Sequence, residues 1–386
     1  MAKQPSSDAP QDQPVGPFLR NVILKAILLL AIFSLGFAWA DPIQSLGRIS
    51  LYNRLFPGRL RLPFGEDFEK SYNISILQLE AMFASHEIND LNKSSNEFRV
   101  FLLGDSSVWG FLLSPDDTLS AALNDRGLKA PNGQTLRFYN LGYPTMSVMK
   151  DLILLDFAQR YPPDLILWFV TLESLPVQKQ LESPLVQYNP ETSRSLIARF
   201  GLGIDPRDER FILPSFWDQT LIGQRRDLAD LIRLQLLGAM WAGTHIDHDV
   251  PSSYEPAPIE LTKETSFQGY QPGQLSFEDL AFDVLEAGVH LAEDTPLIFI
   301  NQPILIAAGP NSDIHYNAYY PRWAYDTYRE MMDRRASEQG WTYLDLWDVV
   351  PAEWFTDNAI HYSPQGVGQV VDRLSDSMMR IVNQTP

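Results

Sequence analysis

From residue 98 onward, short apolar runs recur at 99–104 (RVFLLG), 136–142 (LRFYNLG), 165–170 (LILWFV), 297–301 (LIFIN) and 342–347 (TYLDLW). They predict strands, separated by helical patterns near 117–126, 146–160, 278–293 and 320–339. Such alternation predicts an α/β fold built on a parallel five-stranded sheet. A last helix is signposted by Ser363 as cap, Pro364 in its first turn and the periodic VVDRLSDSMMRIV. One interval, about 171–276, breaks the rhythm with more than 100 residues between the third and fourth strands. It holds an amphipathic helical pattern at about 227–241 and a Pro/Ser/Glu-rich stretch near 250–275. An insertion of that length reads as a lid, a binding element or a partner surface.

The front of the chain follows another pattern. Residues 1–20 form a polar leader, rich in Pro, Ser and Gln over its first 16, and are predicted to be disordered. Residues 21–40, NVILKAILLLAIFSLGFAWA, hold one charge, Lys25. As a helix they reach ~30 Å, the thickness of a bilayer's hydrocarbon core. Lys25 would have to snorkel to the headgroups. A cleaved signal peptide is the competing reading, since Ala38-Trp39-Ala40 has the small-x-small form. The long leader and the interfacial character of Trp39 favour an uncleaved single-pass anchor. Arg20 and Lys25 precede the span, while Arg48, Arg54, Arg59 and Arg61 follow it. The stretch 42–64 mixes these arginines with Leu, Ile, Phe and Tyr, which fits a segment lying on the membrane or the first docking segment of the domain. The expected division is leader 1–20, anchor 21–40, juxtamembrane or docking segment 41–97 and main domain 98–386, with its insertion at about 171–276.

Charge sharpens this division. The 386 residues carry 30 Lys+Arg against 48 Asp+Glu, a formal net charge of −18. Residues 1–75 are net +2, which leaves −20 on residues 76–386. An acidic body argues against nucleic acid as partner. The chain has no Cys, which excludes disulfides, thiolate metal sites and a thiol nucleophile. The expected partners are a membrane and an acylated substrate, with the main domain extracytoplasmic.

Candidate chemistry gathers at strand ends. The first strand empties into Gly104-Asp105-Ser106-Ser107, followed by Val108-Trp109-Gly110. Strand carboxyl ends are where parallel sheets bind ligands, and a hydroxyl at the tip of such a turn can meet substrate. The second strand ends Asn140-Leu141-Gly142, where glycine lets a substrate approach the backbone N–H. Either piece alone is equally a plain turn. Near the C-terminus, Asp357 stands four residues before His361, between the fifth strand and the capped helix. An imidazole that takes a proton from a serine needs a carboxylate to hold its tautomer.

Together, GDS(S)xxG after the first strand, N-x-G after the second and D…H-x-x-x-x-G before the last helix resemble the SGNH (GDSL-type) hydrolase superfamily, over roughly residues 98–382. The resemblance implies a flavodoxin-like three-layer α/β/α sandwich. It implies Ser106 as nucleophile, His361 as general base, Asp357 as its orienter, and the N–H groups of Ser106 and Gly142 as oxyanion donors. No cofactor and no metal are implied. The implied activity is that of a serine esterase or O-acyltransferase. Membrane-anchored SGNH-like domains with a divergent third block are similar to proteins that move acyl groups on cell-envelope polymers, so an envelope or extracellular glycan is the expected substrate.

Two departures stand out. The family's acid lies three residues before the histidine, where this chain has Asn358, so Asp357 would need a bulged turn to reach the ring. The family's third block supplies an Asn donor, where this chain reads Thr171-Leu172-Glu173-Ser174. The expected replacement is Asn301, with Gln302 and Thr171 as alternatives. Asp105, Trp109, Glu173, Gln302 and His315 are further candidates for contact with substrate. The aromatics Tyr316, Tyr319, Tyr320 and Trp323 could stack on sugar rings or fill the core. His245, Asp247, His248 and Asp249 have metal-ligand chemistry but read as a solvated loop, and His86 and His290 read as structural. The departures leave a second reading: a weak or inactive SGNH-fold glycan-binding or assembly protein.

Overall fold

A computed structural model describes residues 15–51, 58–64, 74–90, 93–244, 253 and 261–383. The chain enters through α1 (Val15–Ala40), a helix whose Leu and Ile side chains are mostly exposed, then turns through α2 (Ile43–Gly47) to α3 (Leu79–Ser85). Helix therefore begins ahead of residue 21 and takes in 15–20, while 1–14 lie outside the described residues. Of the two expectations for 42–64, docking describes its later part. Arg59 and Arg61 are buried, and Arg61 forms a parallel bridge with Asn140 at the sheet's edge.

The sheet comprises β1 (Glu97–Leu103), β2 (Thr135–Asn140), β3 (Leu165–Val170), β4 (Leu297–Asn301) and β5 (Thr342–Asp345), all parallel, in the order β2-β1-β3-β4-β5. This is the flavodoxin-like order, with its switch point between β1 and β3. The third and fourth strands end where predicted, while β1, β2 and β5 stop one or two residues short because Gly104, Leu141–Gly142 and Leu346–Trp347 leave the ladder to build loops.

Alternation divides the strand side chains between two cores. On one face Phe101, Leu103, Tyr139, Trp168, Val170 and Phe299 are buried; on the other, Val100, Leu102, Phe138, Leu167, Phe169 and Ile300. After α4 (Ser106–Trp109), α5 (Leu119–Asp125) covers the second face, and α6 (Val148–Ala158) covers the first. Almost all of α6 (VMKDLILLDFA) is buried, so it shows no polar face.

The interval after β3 is itself helical: α7 (Pro184–Tyr188), α8 (Pro190–Phe200) and α9 (Arg225–Thr244). Helix α9 extends the predicted 227–241, whereas α7 and α8 were not anticipated. Their signals are local: Pro190 opens α8 and Gly201, at φ 65°, closes it. His245, Asp247, His248 and Asp249 lie outside the described residues. The chain then completes the sandwich with α10 (Phe282–Ala292) and α11 (Arg322–Gln339) on the first face and α12 (Pro364–Val382) on the second. Ser363 caps α12 as predicted, its Oγ accepting from Gly366 N–H at 3.4 Å.

Candidate active site

At the end of β1 the chain turns sharply at Gly104, whose φ of 154° places it where side chains are strained. A Cβ there would meet Val108 Cγ2 at 2.7 Å. Asp105 caps α4 by accepting from Ser107 N–H at 2.9 Å. Ser106 is thus the first helical residue. Among the described residues nothing accepts from its N–H, as expected at a helix start.

Ser106 Oγ lies 2.7 Å from His361 Nε2, and His361 Nδ1 lies 2.9 Å from Asp357 Oδ1. Burial disfavours ionisation of Asp357, but bonds from His361 and Thr356 outweigh it and hold its pKa below the usual carboxylate range. An ionised carboxylate can only accept. The proton is therefore held on Nδ1, leaving Nε2 to accept from the serine. Phe111 packs on the imidazole with centroids 4.9 Å apart.

The displaced acid reaches the ring through a hairpin. Phe355 bridges Tyr362 antiparallel, and Thr356 N–H donates to His361 O at 2.9 Å. This closure folds residues 357–360 back, so Asp357 faces the ring. Asn358, at the family's usual acid position, instead donates to Tyr319 Oη at 2.9 Å.

The structure does not bring the other expected donors to bear. Gly142 N–H donates to Asn140 Oδ1 at 3.0 Å, and a Cβ on Gly142 would sit 2.7 Å from Trp109 N. The glycine is required by close packing of α4 on the second strand end, and its N–H is already committed. Asn301 is wholly buried on the opposite face, donating to Asp345 at 2.8 Å and accepting from Tyr325 and Tyr328 at 3.1 Å each. Thr171 Oγ1 pairs with Tyr320 Oη at 3.0 Å, and Thr171 N–H donates to Ser174 Oγ at 3.2 Å. Gln302 accepts from Ser107 Oγ and donates to Asp105 Oδ2 at 2.7 Å. It braces the serine turn from beneath.

No known protein family matches the chain, and neither does any curated protein. Several solved structures align with most of its length. A G-D-S-L lipolytic protein from Veillonella parvula is 9% identical, with 73% of this chain and 98% of that one covered at TM-score 0.35. A carbohydrate acetylesterase family member from Sinorhizobium meliloti is 11% identical, with 74% and 98% covered at 0.34. The aryl esterase of M. smegmatis is 11% identical, with 73% and 98% covered at 0.34. At such scores the overlap carries no chemistry to this chain; the chemistry rests on its own atoms.

The remaining candidates are occupied internally. Trp109 is buried, donates to Leu62 O at 2.7 Å and lies under the Arg61 guanidinium at 4.3 Å. Asp105 is taken up by the cap and Gln302. Glu173 is neutralised by Lys179 and accepts from Gln268 at 2.9 Å, so its charge is compensated. His315 is 2% exposed, with Nε2 2.6 Å from the Glu264 carbonyl, where it pins the insertion. Tyr316 and Tyr320 are core residues, and Trp323 donates to Thr265 O at 2.6 Å. Tyr319, 39% exposed, presents a face beside the His361 hairpin.

One residue of the site went unnoticed in the sequence. Lys150, on α6, is wholly buried, donates to Gly104 O at 2.8 Å and Tyr143 O at 2.6 Å, and pairs with Asp151 at 2.8 Å. It ties the carbonyls of two strand ends to one helix. Its only signal in the sequence is a cation within an apolar helix.

Proposed function

We propose that the protein is a membrane-anchored serine esterase or O-acyltransferase acting on ester-linked acyl groups of envelope or extracellular glycans. The observation carrying this reading is the continuous relay from Ser106 Oγ through His361 to Asp357, at 2.7 and 2.9 Å. In the proposed reaction His361 Nε2 takes the serine proton while Oγ attacks the ester carbonyl carbon. Asp357 stabilises the resulting imidazolium. The proton passes to the departing alcohol as the carbonyl–oxygen bond breaks, leaving an acyl-serine. Water, or a sugar hydroxyl deprotonated by the same imidazole, then removes the acyl group. The free N–H of Ser106 is the donor available to the oxyanion.

Anchoring is proposed from Gly16–Ala40 of α1, 25 residues with mean hydropathy 2.3 over the most apolar window and 11% of that window buried. Arg59 and Arg61 are folded into the domain, so they would travel with it rather than act as flanking charges. Tyr319 supplies one aromatic face for a sugar ring near the relay. A second reading, a glycan-binding or assembly protein of little activity, is favoured by the engagement of Gly142, Asn301, Gln302 and Thr171. Labelling by a fluorophosphonate probe separates the two. An enzyme should be labelled in wild type and not in Ser106→Ala, with ester turnover falling at least ~10³-fold. Wild type left unlabelled would favour the binding protein. Mass spectrometry with an acetylated glycan and an acceptor sugar then divides esterase from transferase.

A further inference from the structure

Helix α9 has two apolar faces, and among the described residues the domain's core packs against one of them. Its inner face places Leu228, Leu231, Leu234 and Ala239 against Ile43 of α2, Ile74 and Ala81, in a cluster that Phe37 of α1 also joins. Its outer face carries Ala229, Ile232, Leu236 and Met240, spaced three and four residues apart, with Ile232 61% and Leu236 74% exposed. The preceding loop continues this surface through Leu213, Phe216, Trp217 and Ile222, all exposed.

The location says what covers it. Gln235 donates to Ile49 O at 2.7 Å and accepts from Leu51 N–H at 2.8 Å, tying α9 to the chain just beyond α1. Residues 212–214, Asp218, Gln219, Gly223 and Gln224 share the walls of a 690 Å³ cavity with Asp41 and Ile43. The exposed stripe is therefore level with the end of α1, where Trp39 is 88% exposed. Two exposed tryptophans, Trp39 and Trp217, mark the same end, as aromatic residues do at headgroup depth. Of the charges on this helix, Arg225 is exposed at the head of the stripe, whereas Arg226, Asp227 and Asp230 line the cavity, with Asp230 buried and Asp227 half-buried.

We propose that α9 and the loop 212–222 form a second membrane contact, lying in the bilayer interface beside the exit of α1 and fixing how the domain stands on the membrane. The inference rests on the reading of α1 as an anchor and adds a contact that the anchor does not require. Because the chain has no Cys, single cysteines report one position each. The test uses full-length protein in phosphatidylcholine–phosphatidylglycerol vesicles, labelled with an environment-sensitive fluorophore at L236C, M240C, L29C in α1 or D376C on α12. Spin-labelled lipids place the quencher either near the headgroups or at the midplane. The expected result is blue-shifted emission at L236C and M240C with strong quenching from the headgroup position, midplane quenching at L29C, and neither at D376C. Quenching at L29C with none at L236C or M240C overturns the inference and leaves the anchor. Disulfide dimers through L236C without lipid quenching also overturn it, assigning the face to a second copy. Loss of quenching at L29C and L236C together overturns both readings. M240C keeps the test decisive should L236C misfold.

Discussion

The imidazole side of the site and the side where the proposed reaction would form an oxyanion draw on the same sheet edge, yet their polar groups are used differently. Ser106, His361 and Asp357 hold one another, and that chain ends in a serine oxygen at the tip of the turn. On the other side, Gly142, Thr171 and Gln302 point their donors into the protein. Asn301 lies on the far face altogether. The difference teaches that a relay can be assembled from two short segments, because one hairpin and one helix start suffice. An oxyanion hole needs N–H groups left without partners, and a well-packed interior tends to satisfy every donor it has.

Breaking the relay while leaving the other side intact should have the largest effect. Asp357→Asn keeps the shape but can present an N–H to Nδ1, favouring the wrong tautomer. kcat should fall about 10³-fold, with the thermal midpoint nearly unchanged because the group is 42% exposed. A fall of less than tenfold in steady-state kinetics would mean that Asp357 does not orient the ring.

The next test weakens the frame beneath both sides. Lys150→Met removes the donor to Gly104 O and Tyr143 O and takes the counter-ion from Asp151, leaving it the Trp168 Nε1 donor at 3.1 Å; its carboxyl is already pushed up to about 6, chiefly by burial and despite Lys150. Losing one partner of a buried pair costs about 3–5 kcal/mol, visible as a lower urea midpoint at pH 8. The sign of its pH dependence follows from linkage. A carboxyl with a raised folded pKa destabilises the fold when ionised, and that penalty fades as pH falls through the folded pKa toward the unfolded value. The deficit relative to wild type should therefore shrink between pH 8 and about pH 4. A deficit independent of pH would place the loss in the two backbone bonds instead.

Part of this contrast is legible in the amino-acid sequence. Strand runs such as LILWFV announce themselves because a sheet covered on both faces demands apolar residues at consecutive positions. The turn at Gly104–Ser107 and the His361 block were legible because their residue types are dictated by backbone conformation and chemistry. Asp357 was legible in kind, but the hairpin that turns it toward His361 depends on a bridge between Phe355 and Tyr362. Donor availability was not legible. Whether Gly142 N–H is free depends on the rotamer of Asn140, and the fate of Asn301 depends on two tyrosines of α11 more than 20 residues away. Lys150 was missed because a lone cation on a helix ordinarily faces water.

Asn301 gives the finest test of the contrast, because it separates effects that an oxyanion donor would couple. A true donor removed by Asn301→Ala would lower kcat about 10²- to 10³-fold. Here Asn301 accepts from Tyr325 and Tyr328, and burial keeps both hydroxyls protonated and in need of an acceptor. It also donates to Asp345, which Arg329 holds from the other side at 2.7 and 2.9 Å. Truncation leaves two buried hydroxyls unsatisfied, at about 1–3 kcal/mol each. Stability should therefore fall by about 3 kcal/mol while kcat stays within about twofold, provided the assay temperature lies below the variant's melting transition. A large loss of kcat in protein shown to be folded by circular dichroism would return Asn301 to the oxyanion side. The relay would then act with a donor that swings from the far face of β4, and the contrast between the two sides would reflect only the resting state.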